Sequence, residues 1–325
     1  MSSPVPVTPD DVLRASAAVG DRLHRTPMFS SATLSRETGA RVFLKAELFQ
    51  RTGSFKPRGL LAKLVSLSPE ERSRGVVTVS AGNAAAAVAY GSAVEGIDAL
   101  VCMWQGASAL KVAAVRGYGA TVDQEAADPT EAFARAAEVA VREGRTFVHP
   151  FDDDTVIAGH GSLGVELVED RPDVEVVVCP IGGGGLISGV TVGVKGPRPD
   201  VRVVGIEPEG SDVMRRALDA GEPVAITPVS AADGLNAPHA GTRCLLVCQA
   251  LLDDLRLVTE PDIERGFRFL YQRAKLAVEP AAAAGVGALL AGKIPDIEGR
   301  TVVVIVSGGN VAAKTAADIL GRDEG

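Results

Sequence analysis

A lysine in a glycine-flanked segment is the first feature of this sequence that points to chemistry. Lys56 stands within Ser54–Gly59, which reads SFKPRG, and Gly53 precedes the segment. Because a proline is tolerated in the first helical turn, the segment predicts a shaped loop that leads into a helix. The positive potential at a helix N-terminus favours the neutral amine of a lysine, and a neutral amine forms Schiff bases. Most lysines are nevertheless solvated surface charges, so Lys56 alone is weak evidence.

Four consecutive glycines, Gly182–Gly185, form the second feature. Without Cβ atoms their N–H groups can converge at the start of a helix, where they form a seat for a phosphate dianion. A plain strand-to-helix turn needs only one or two glycines. The dinucleotide pattern G-x-G-x-x-G fails because Ile187 or Ser188 occupies the third glycine position, and no Gly-Lys-Ser/Thr occurs. A monophosphate ester is therefore the better candidate ligand.

Two loops of small residues strengthen this interpretation. Ser80–Asn83 and Ser307–Asn310 each follow an apolar run that predicts a strand. In open α/β sheets, ligands bind at the carboxyl ends of parallel strands. We therefore expect both loops to lie at a ligand site.

The elements that must position these residues follow an alternating pattern. Short β-branched runs alternate with Ala-rich helical stretches, which predicts βαβ units and an α/β fold with parallel sheets. The predicted strands are Val42–Ala46, Gly75–Val79, Ala99–Met103, Val174–Cys179, Val201–Glu207 and Thr301–Val306. The predicted helices are Pro57–Ser66, Asn83–Glu95, Ser108–Tyr118, Pro129–Glu143, Thr155–Glu169, Gly185–Lys195 and Glu260–Lys275.

Composition narrows the class of protein. The 325 residues suggest about two domains, and 46% apolar with 23% charged residues is typical of a globular chain. A net charge of −8 without a basic stripe argues against a nucleic-acid or membrane partner. No signal peptide or membrane-length apolar run is visible, so we expect a cytoplasmic protein. The four cysteines contain no C-x-x-C pair and predict buried thiols, and no metal site is expected.

Taken together, these blocks resemble the serine/threonine dehydratase and serine racemase family of fold-type-II pyridoxal-phosphate (PLP) enzymes. The resemblance runs from about Leu23 to Asn310 and keeps the family order. The blocks are Lys45–Gln50, Gly53–Gly59, Ser80–Asn83, Lys111 with Gly119-Ala120, His149–Asp152, Ile157–Gly159, Gly182–Gly185, Gly205–Pro208, Ala232–Gly234, Glu279-Pro280 and Ser307–Asn310.

The resemblance implies a fold and a domain division. It implies a tryptophan synthase β-like architecture, with two open parallel-sheet domains and the cofactor between them. Residues 1–74 and 151–325 would form a discontinuous large PLP-binding domain, and residues 75–150 a small domain that closes on substrate. A homodimer is implied by the resemblance alone.

The resemblance also implies roles for individual residues. Lys56 would hold PLP covalently and move the substrate Cα proton, Phe55 would pack near the cofactor ring, and Asn83 would hydrogen-bond its 3-oxygen. Gly182, Gly183, Gly184 and Gly185 would bind the phosphate, and Ser307 would face the pyridine nitrogen. The substrate pocket would be lined by Ser80, Ala81, Gly82, Asn83 and Ala84. Glu279 is either an active-site carboxylate or an N-terminal helix charge, and the sequence favours neither.

The implied reaction is dehydration of a β-hydroxy-α-amino acid, such as L-threonine or L-serine, to a 2-oxo acid and ammonia.

Three departures from the family pattern bear on this reaction and its substrate. Ala84–Ala87 replace polar residues beside the carboxylate pocket, which favours a bulkier substrate such as 3-phenylserine or 3-hydroxyaspartate. Ala81 replaces the serine that donates a proton in racemases, which disfavours the alternative of an amino-acid racemase. Glu207 retains one carboxylate of the family's cation site while Val213 replaces the second, so Glu207 and Asp212 are read as surface carboxylates. A PLP-binding protein without catalysis is the least favoured alternative.

Overall fold

The computed structural model describes residues 5–322, so the ends of the expected large domain, residues 1–4 and 323–325, lie outside it. Its strands form two sheets. The ten strands of the described residues are β1 (Met28–Ser30), β2 (Arg41–Ala46), β3 (Val76–Val79), β4 (Ala99–Trp104), β5 (Thr121–Ala126), β6 (Thr146–Phe147), β7 (Val176–Pro180), β8 (Arg202–Pro208), β9 (Asp254–Val258) and β10 (Thr301–Val306).

The large sheet has the order β1-β2-β10-β7-β8-β9, and the small sheet has the order β5-β4-β3-β6. Every pairing is parallel except that of β1 with β2. The predicted α/β class with two parallel sheets is therefore confirmed. The small sheet draws all four of its strands from residues 76–147, and the large sheet draws its strands from both sides of that segment.

Helices cover both sheets. They are α1 (Pro9–Val19), α2 (Ala32–Thr38), α3 (Pro57–Val65), α4 (Pro69–Arg74), α5 (Asn83–Glu95), α6 (Ala109–Gly117), α7 (Pro129–Glu143), α8 (Asp154–Asp170), α9 (Gly185–Lys195), α10 (Val213–Ala220), α11 (Thr242–Leu251), α12 (Glu260–Gln272), α13 (Pro280–Leu290) and α14 (Ala313–Leu320). Capping boxes at Thr8 and Thr259 fix the starts of α1 and α12.

The core lies on both faces of the large sheet. Every residue of β7 and β10 is buried, as expected when helices cover both faces of parallel strands. Val303 and Ile305 of β10 pack in the core on one face, while Val302 and Val304 pack in the core on the other. The six predicted strands are all present, with ends that differ by at most two residues.

Four strands were missing from the sequence prediction: β1, β5, β6 and β9. Strand β5 reads TVDQEA and has only its last residue buried, so it lacks the apolar run by which the other strands were recognised. Strands β1 and β6 have three and two residues, too few for a recognisable alternation. Strand β9 reads DLRLV and alternates only over its central residues.

One predicted surface carboxylate is buried. Glu207 has no exposed surface, and its two carboxylate oxygens accept the N–H groups of Met214 and Arg215 at 2.8 and 2.9 Å. It therefore binds the first turn of α10, and its interpretation as a surface group was wrong. Burial raises the pKa of Glu207 to about 8.

Several features of the described residues bear on other classes of protein. The four cysteines are all buried and free. Residues 5–322 contain no group of three or more His, Cys, Asp or Glu side chains arranged to hold a metal ion. None of the described helices combines the length and apolar character needed to cross a membrane.

Candidate active site

A cavity of about 540 Å³ lies between the two sheets. Its volume is within the range of small-molecule sites. The described lining includes every residue that the sequence singled out for cofactor or substrate binding, which are Phe55, Lys56, Ser80, Ala81, Gly82, Asn83, Ala84, Gly182, Gly183, Gly184, Gly185, Glu279 and Ser307. Loops as distant in sequence as those of Phe55 and Ser307 thus meet in one place.

Lys56 sits at the N-terminus of α3. Its Nζ donates to the carbonyl oxygen of Pro150 at 3.0 Å and lies 5.2 Å from the centroid of the Phe55 ring. Burial lowers the pKa of Lys56 to about 8, against the opposing effect of the Cys244 and Glu279 side chains. The direction agrees with the sequence prediction, and loss of hydration is its cause. At neutral pH a small but useful fraction of the amine is unprotonated.

The loops that carry Lys56 and Ser307 are bound to each other by their backbones. The N–H of Phe55 donates to the carbonyl oxygen of Ser307 at 3.0 Å, and the N–H of Gly309 donates to that of Gly53 at 2.9 Å. The two loops follow β2 and β10, which are neighbours in the large sheet. The positions of the amine and of the Ser307 hydroxyl are therefore set by one rigid part of the fold.

Gly59 lies inside α3, as the predicted helix Pro57–Ser66 implies, and its role is in packing. A Cβ atom there would lie 2.5 Å from the carbonyl oxygen of Val156 and 2.6 Å from the ring of His160. Gly59 is thus required for the close packing of α3 against α8. This packing fixes the helix that begins directly after Lys56.

The four-glycine turn joins β7 to α9. Gly184 has a φ of 103°, a conformation that favours glycine. A Cβ atom at Gly183 would lie 2.5 Å from the ring of Phe151, and one at Gly184 would lie 2.6 Å from Met214. Larger residues therefore do not fit in this turn.

The turn also leaves backbone donors available. Within residues 5–322, the N–H groups of Gly182, Gly183 and Gly184 donate to no backbone or side-chain acceptor. The N–H of Gly185 opens α9 and so has no acceptor within the helix. Several free donors at a helix N-terminus suit a phosphate dianion.

Asn83 and Glu279 meet across the cavity. The Asn83 amide donates to both carboxylate oxygens of Glu279, at 2.9 and 3.1 Å, and its own oxygen accepts from Asn310 at 2.9 Å. Glu279 precedes α13 but makes no capping hydrogen bond to that helix. Glu279 is therefore a carboxylate of the cavity wall that also stands at the N-terminus of α13. Burial raises the pKa of Glu279 to about 7.

The loop that precedes α5 brings few polar groups to the cavity. The Ser80 hydroxyl accepts the N–H of Gly82 at 3.1 Å, and Asn83 begins the helix. Ala81 and Ala84 are buried and contribute only methyl groups. The loop offers backbone donors at its helix end and an apolar surface next to them.

Two aromatic side chains of the cavity, Trp104 and Phe133, were not recognised from the sequence. Trp104 at the end of β4 and Phe133 on α7 both line it, with Phe151 and two histidines, His149 and His239. His149 and Phe151 belonged to a recognised block, but no sequence signal distinguished Phe133 from an ordinary apolar residue of an amphipathic helix.

A buried ionic network surrounds Arg58, which lies on α3. Arg58 binds both oxygens of Glu47, at 2.7 and 2.8 Å, and contacts Glu166 at 2.9 Å. The fully buried Lys45 binds Glu166 at 2.6 Å and Asp170 at 2.9 Å. The sequence gave no signal for these pairs beyond charged residues within apolar runs. The network anchors the residue two positions after Lys56.

The cavity fits a phosphate-bearing aldehyde. The free N–H groups of the glycine turn suit its phosphate, and the amine of Lys56, whose pKa is lowered, suits its carbonyl carbon. The fit rests on backbone geometry that larger residues could not adopt.

Comparison with known proteins agrees with this fit. The sequence model of the family described as "Pyridoxal-phosphate dependent enzyme" matches residues 19–308. The chain is 40% identical over 319 residues to the catabolic L-threonine dehydratase TdcB of Escherichia coli K12, covering 98% of this chain and 97% of that protein. It is 39% identical over 297 residues to the phenylserine dehydratase of Ralstonia pickettii, covering 91% of each.

A solved structure gives the same result for the fold. Maize serine racemase superposes with a TM-score of 0.92 at 34% identity, and the match covers 96% of each chain. The predicted fold-type-II architecture and the predicted cofactor are thereby confirmed. This chain belongs to the family of pyridoxal-phosphate-dependent enzymes.

Proposed function

We propose that this protein is a PLP-dependent ammonia-lyase that dehydrates a β-hydroxy-α-amino acid to a 2-oxo acid and ammonia. The observation that carries the proposal is the amine of Lys56, with its pKa lowered to about 8, in one cavity with the glycine turn Gly182–Gly185. Similarity to dehydratases named for threonine and for phenylserine supports the reaction type and leaves the β-substituent open.

In this proposal PLP supplies an electron sink for the charge that develops at the substrate Cα. Lys56 would bind the cofactor through its aldehyde, and its free amine would move the substrate Cα proton. The N–H groups of Gly182 to Gly185 would hold the phosphate, and Phe55 would pack near the ring. Ser307 would supply a hydroxyl toward the pyridine nitrogen, and a hydroxyl, unlike a carboxylate, does not enforce protonation there.

The remaining cavity residues would bind substrate and orient the cofactor. Asn83 would donate to the cofactor 3-oxygen, and Ser80 to Ala84 would surround the substrate carboxylate at the start of α5. Glu279 holds the Asn83 amide at 2.9 Å and so would fix its orientation. With its pKa raised to about 7, Glu279 can also carry a proton near neutral pH.

Racemisation is the alternative that a specific residue disfavours. A racemase must protonate the opposite face of Cα, and the Ala81 methyl group cannot donate a proton. The structural likeness to maize serine racemase keeps the test worthwhile. Chiral chromatography after incubation with L-serine would reveal D-serine if this alternative held.

The experiment compares Lys56→Ala with Lys314→Ala, a lysine on α14 whose side chain is 84% exposed. Borohydride reduction of the holoenzyme followed by peptide mass spectrometry should place the pyridoxyl group on Lys56. Lys56→Ala should lose both this label and 2-oxo acid production, while Lys314→Ala keeps both. Full turnover by Lys56→Ala would show that another residue is the base.

We also propose the domain division given above, with residues 75–150 as the small domain. Its support is that the four strands β3 to β6 pair only with one another. A homodimer remains a prediction, to be tested by light scattering of the purified holoenzyme.

A further inference from the structure

The wall of the cavity contains a row of aromatic rings. The ring centroids of Phe133 and His149 are 6.0 Å apart, those of His149 and Phe151 are 4.7 Å apart, and those of Phe151 and His239 are 6.2 Å apart. Each contact is edge-to-face, the arrangement that aromatic pairs prefer. All four rings line the cavity, and we call them the aromatic row.

The aromatic row connects the glycine turn with the outer part of the cavity. Phe151, the third ring of the row, packs so closely on the turn that a Cβ atom at Gly183 would lie 2.5 Å from its ring. At the outer end of the row, Phe133 rests on Phe147, with centroids 5.4 Å apart, and is 41% exposed. Trp104 also lines the cavity, so two large aromatic side chains of the small-sheet half face the same space as Lys56.

His149, in the middle of the aromatic row, carries no positive charge. Burial lowers the pKa of His149 to about 4, so its ring is neutral at neutral pH. The N–H of Asp152 donates to Nδ1 of His149 at 2.8 Å, which places the ring proton on Nε2. The wall is predominantly aromatic, and the polar atoms of the row are the ring nitrogens of its two histidines.

The cavity also lacks a free cation for an acidic β-substituent. Among the described residues that line it, Lys111 is the sole basic side chain besides Lys56, apart from the histidines. Lys111 binds the carboxylate of Asp233 at 2.9 Å, so its charge is already paired. A second carboxylate on the substrate would meet Asp233 and Glu279 without a cation to neutralise it.

We propose that the cavity selects β-aryl-β-hydroxy-α-amino acids, with Phe133 and Trp104 contacting the aryl ring of the substrate. The proposal rests on the proposed function and narrows its substrate. An aryl group can pack edge-to-face against these rings, while the methyl group of threonine offers them little area. The methyl of Ala84 adds no polar group that would oppose such a ring.

Steady-state kinetics of the holoenzyme test this proposal. We expect kcat/KM for 3-phenylserine to exceed that for L-threonine by about 10-fold or more, the scale of discrimination by apolar pockets. Phe133→Ala should lower kcat/KM for 3-phenylserine by about 10-fold and change that for L-threonine by less than about 2-fold. Phe29→Ala is the matched control, since Phe29 is also 41% exposed and packs on Phe49 instead of the cavity. It should change neither value.

Binding gives a readout that does not depend on turnover. L-Phenylalanine and L-2-aminobutyrate lack a β-hydroxyl leaving group, so the holoenzyme can bind them without elimination. By calorimetry, L-phenylalanine should bind about 10-fold more tightly, and Phe133→Ala should remove most of this preference. Trp104→Leu is a second variant, which should weaken L-phenylalanine binding in the same way if Phe133→Ala fails to fold.

The outcomes separate this inference from the function on which it rests. Preference of the wild-type enzyme for L-threonine or 3-hydroxyaspartate, or equal binding of the two analogues, overturns the aryl specificity and leaves the dehydratase proposal standing. Absence of 2-oxo acid from all three hydroxyamino acids overturns the dehydratase proposal, and the analogue binding then still decides whether the cavity accepts aryl side chains.

Discussion

The side-chain amide of Asn83, at the start of α5, donates to both carboxylate oxygens of Glu279, at the start of α13. The first helix packs with the small sheet and the second with the large sheet, so this contact spans the cavity. It also explains why a carboxyl group remains in a buried position, since the amide satisfies both of its oxygens.

Replacing Glu279 by Gln should change how stability depends on pH. Because the pKa of Glu279 rises from 4.5 to about 7 on folding, the folded protein retains a proton that the unfolded chain loses. The contribution of this group to stability therefore falls as pH rises from about 4.5 to about 7, by at most about 3 kcal/mol. Glu279→Gln should lack this fall, as measured by denaturant unfolding at several pH values. Glu209→Gln, at an exposed site, is the control and should keep the wild-type slope.

Adding a methyl group to the glycine turn should weaken cofactor binding. In Gly183→Ala the new Cβ would lie 2.5 Å from the Phe151 ring, so the turn or the ring must move. We expect the Kd for PLP, measured by absorbance titration of the apoenzyme, to rise by about 10-fold or more, as for loss of one charge-assisted hydrogen bond. Gly117→Ala adds the same methyl where no atom lies within 4 Å, and it should leave the Kd unchanged. An unaltered Kd in Gly183→Ala would argue against phosphate binding at this turn.

Breaking the buried ion pair under α3 should destabilise the whole protein. Glu47 is fully buried and binds Arg58 through both oxygens. Glu47→Gln leaves the buried guanidinium with less compensating charge, and we expect the free energy of unfolding to fall by about 3–5 kcal/mol. Glu169→Gln removes an exposed partner of Arg25 and should cost less than about 1 kcal/mol. Similar losses in both variants would mean that the network contributes no more than a surface pair.

Freeing Lys111 should admit a second carboxylate on the substrate. In Asp233→Asn the Lys111 ammonium keeps its place beside the cavity but loses its charged partner. The ratio of kcat/KM for 3-hydroxyaspartate to that for 3-phenylserine should rise by about 5-fold, roughly 1 kcal/mol of charge pairing. Asp200→Asn breaks a pair with Arg198 of comparable exposure elsewhere and should not change the ratio. A constant ratio in Asp233→Asn would show that Lys111 does not reach the substrate.

Much of the site could be predicted because its residues lie in short, recognisable sequence motifs. Lys56, Gly182–Gly185 and Ser307 stand in short runs of glycine and small residues at the ends of apolar strands, and such runs are readable without knowledge of the fold. The helix Asn83–Glu95 was predicted with its correct ends for the same reason, since Gly82 and Gly96 flank it.

What could not be predicted depends on pairs that are distant in sequence. Lys111 and Asp233 each stand in a block of the family resemblance, but they are 122 positions apart and nothing in the sequence pairs them. Glu47 and Arg58 are closer, but charged residues are rarely fully buried, so the sequence placed neither in a core. Glu207 was assigned to the surface for the same reason, although it is fully buried. Phe133 fits the apolar face of α7, and only the contact with His149 reveals it as part of the cavity wall.

The backbone pairing of the Phe55 and Ser307 loops has a consequence for how the enzyme works over many turnovers. Both loops extend from adjacent strands of the large sheet, whereas Asn83 and Lys111 belong to the other half of the molecule and reach across only by side chains. A movement that broke those side-chain contacts would leave the backbone hydrogen bond between Phe55 and Ser307 intact, and the spacing between the amine and the hydroxyl would stay constant. The cavity entrance could then change shape between turnovers while the residues that hold the cofactor keep their relative positions.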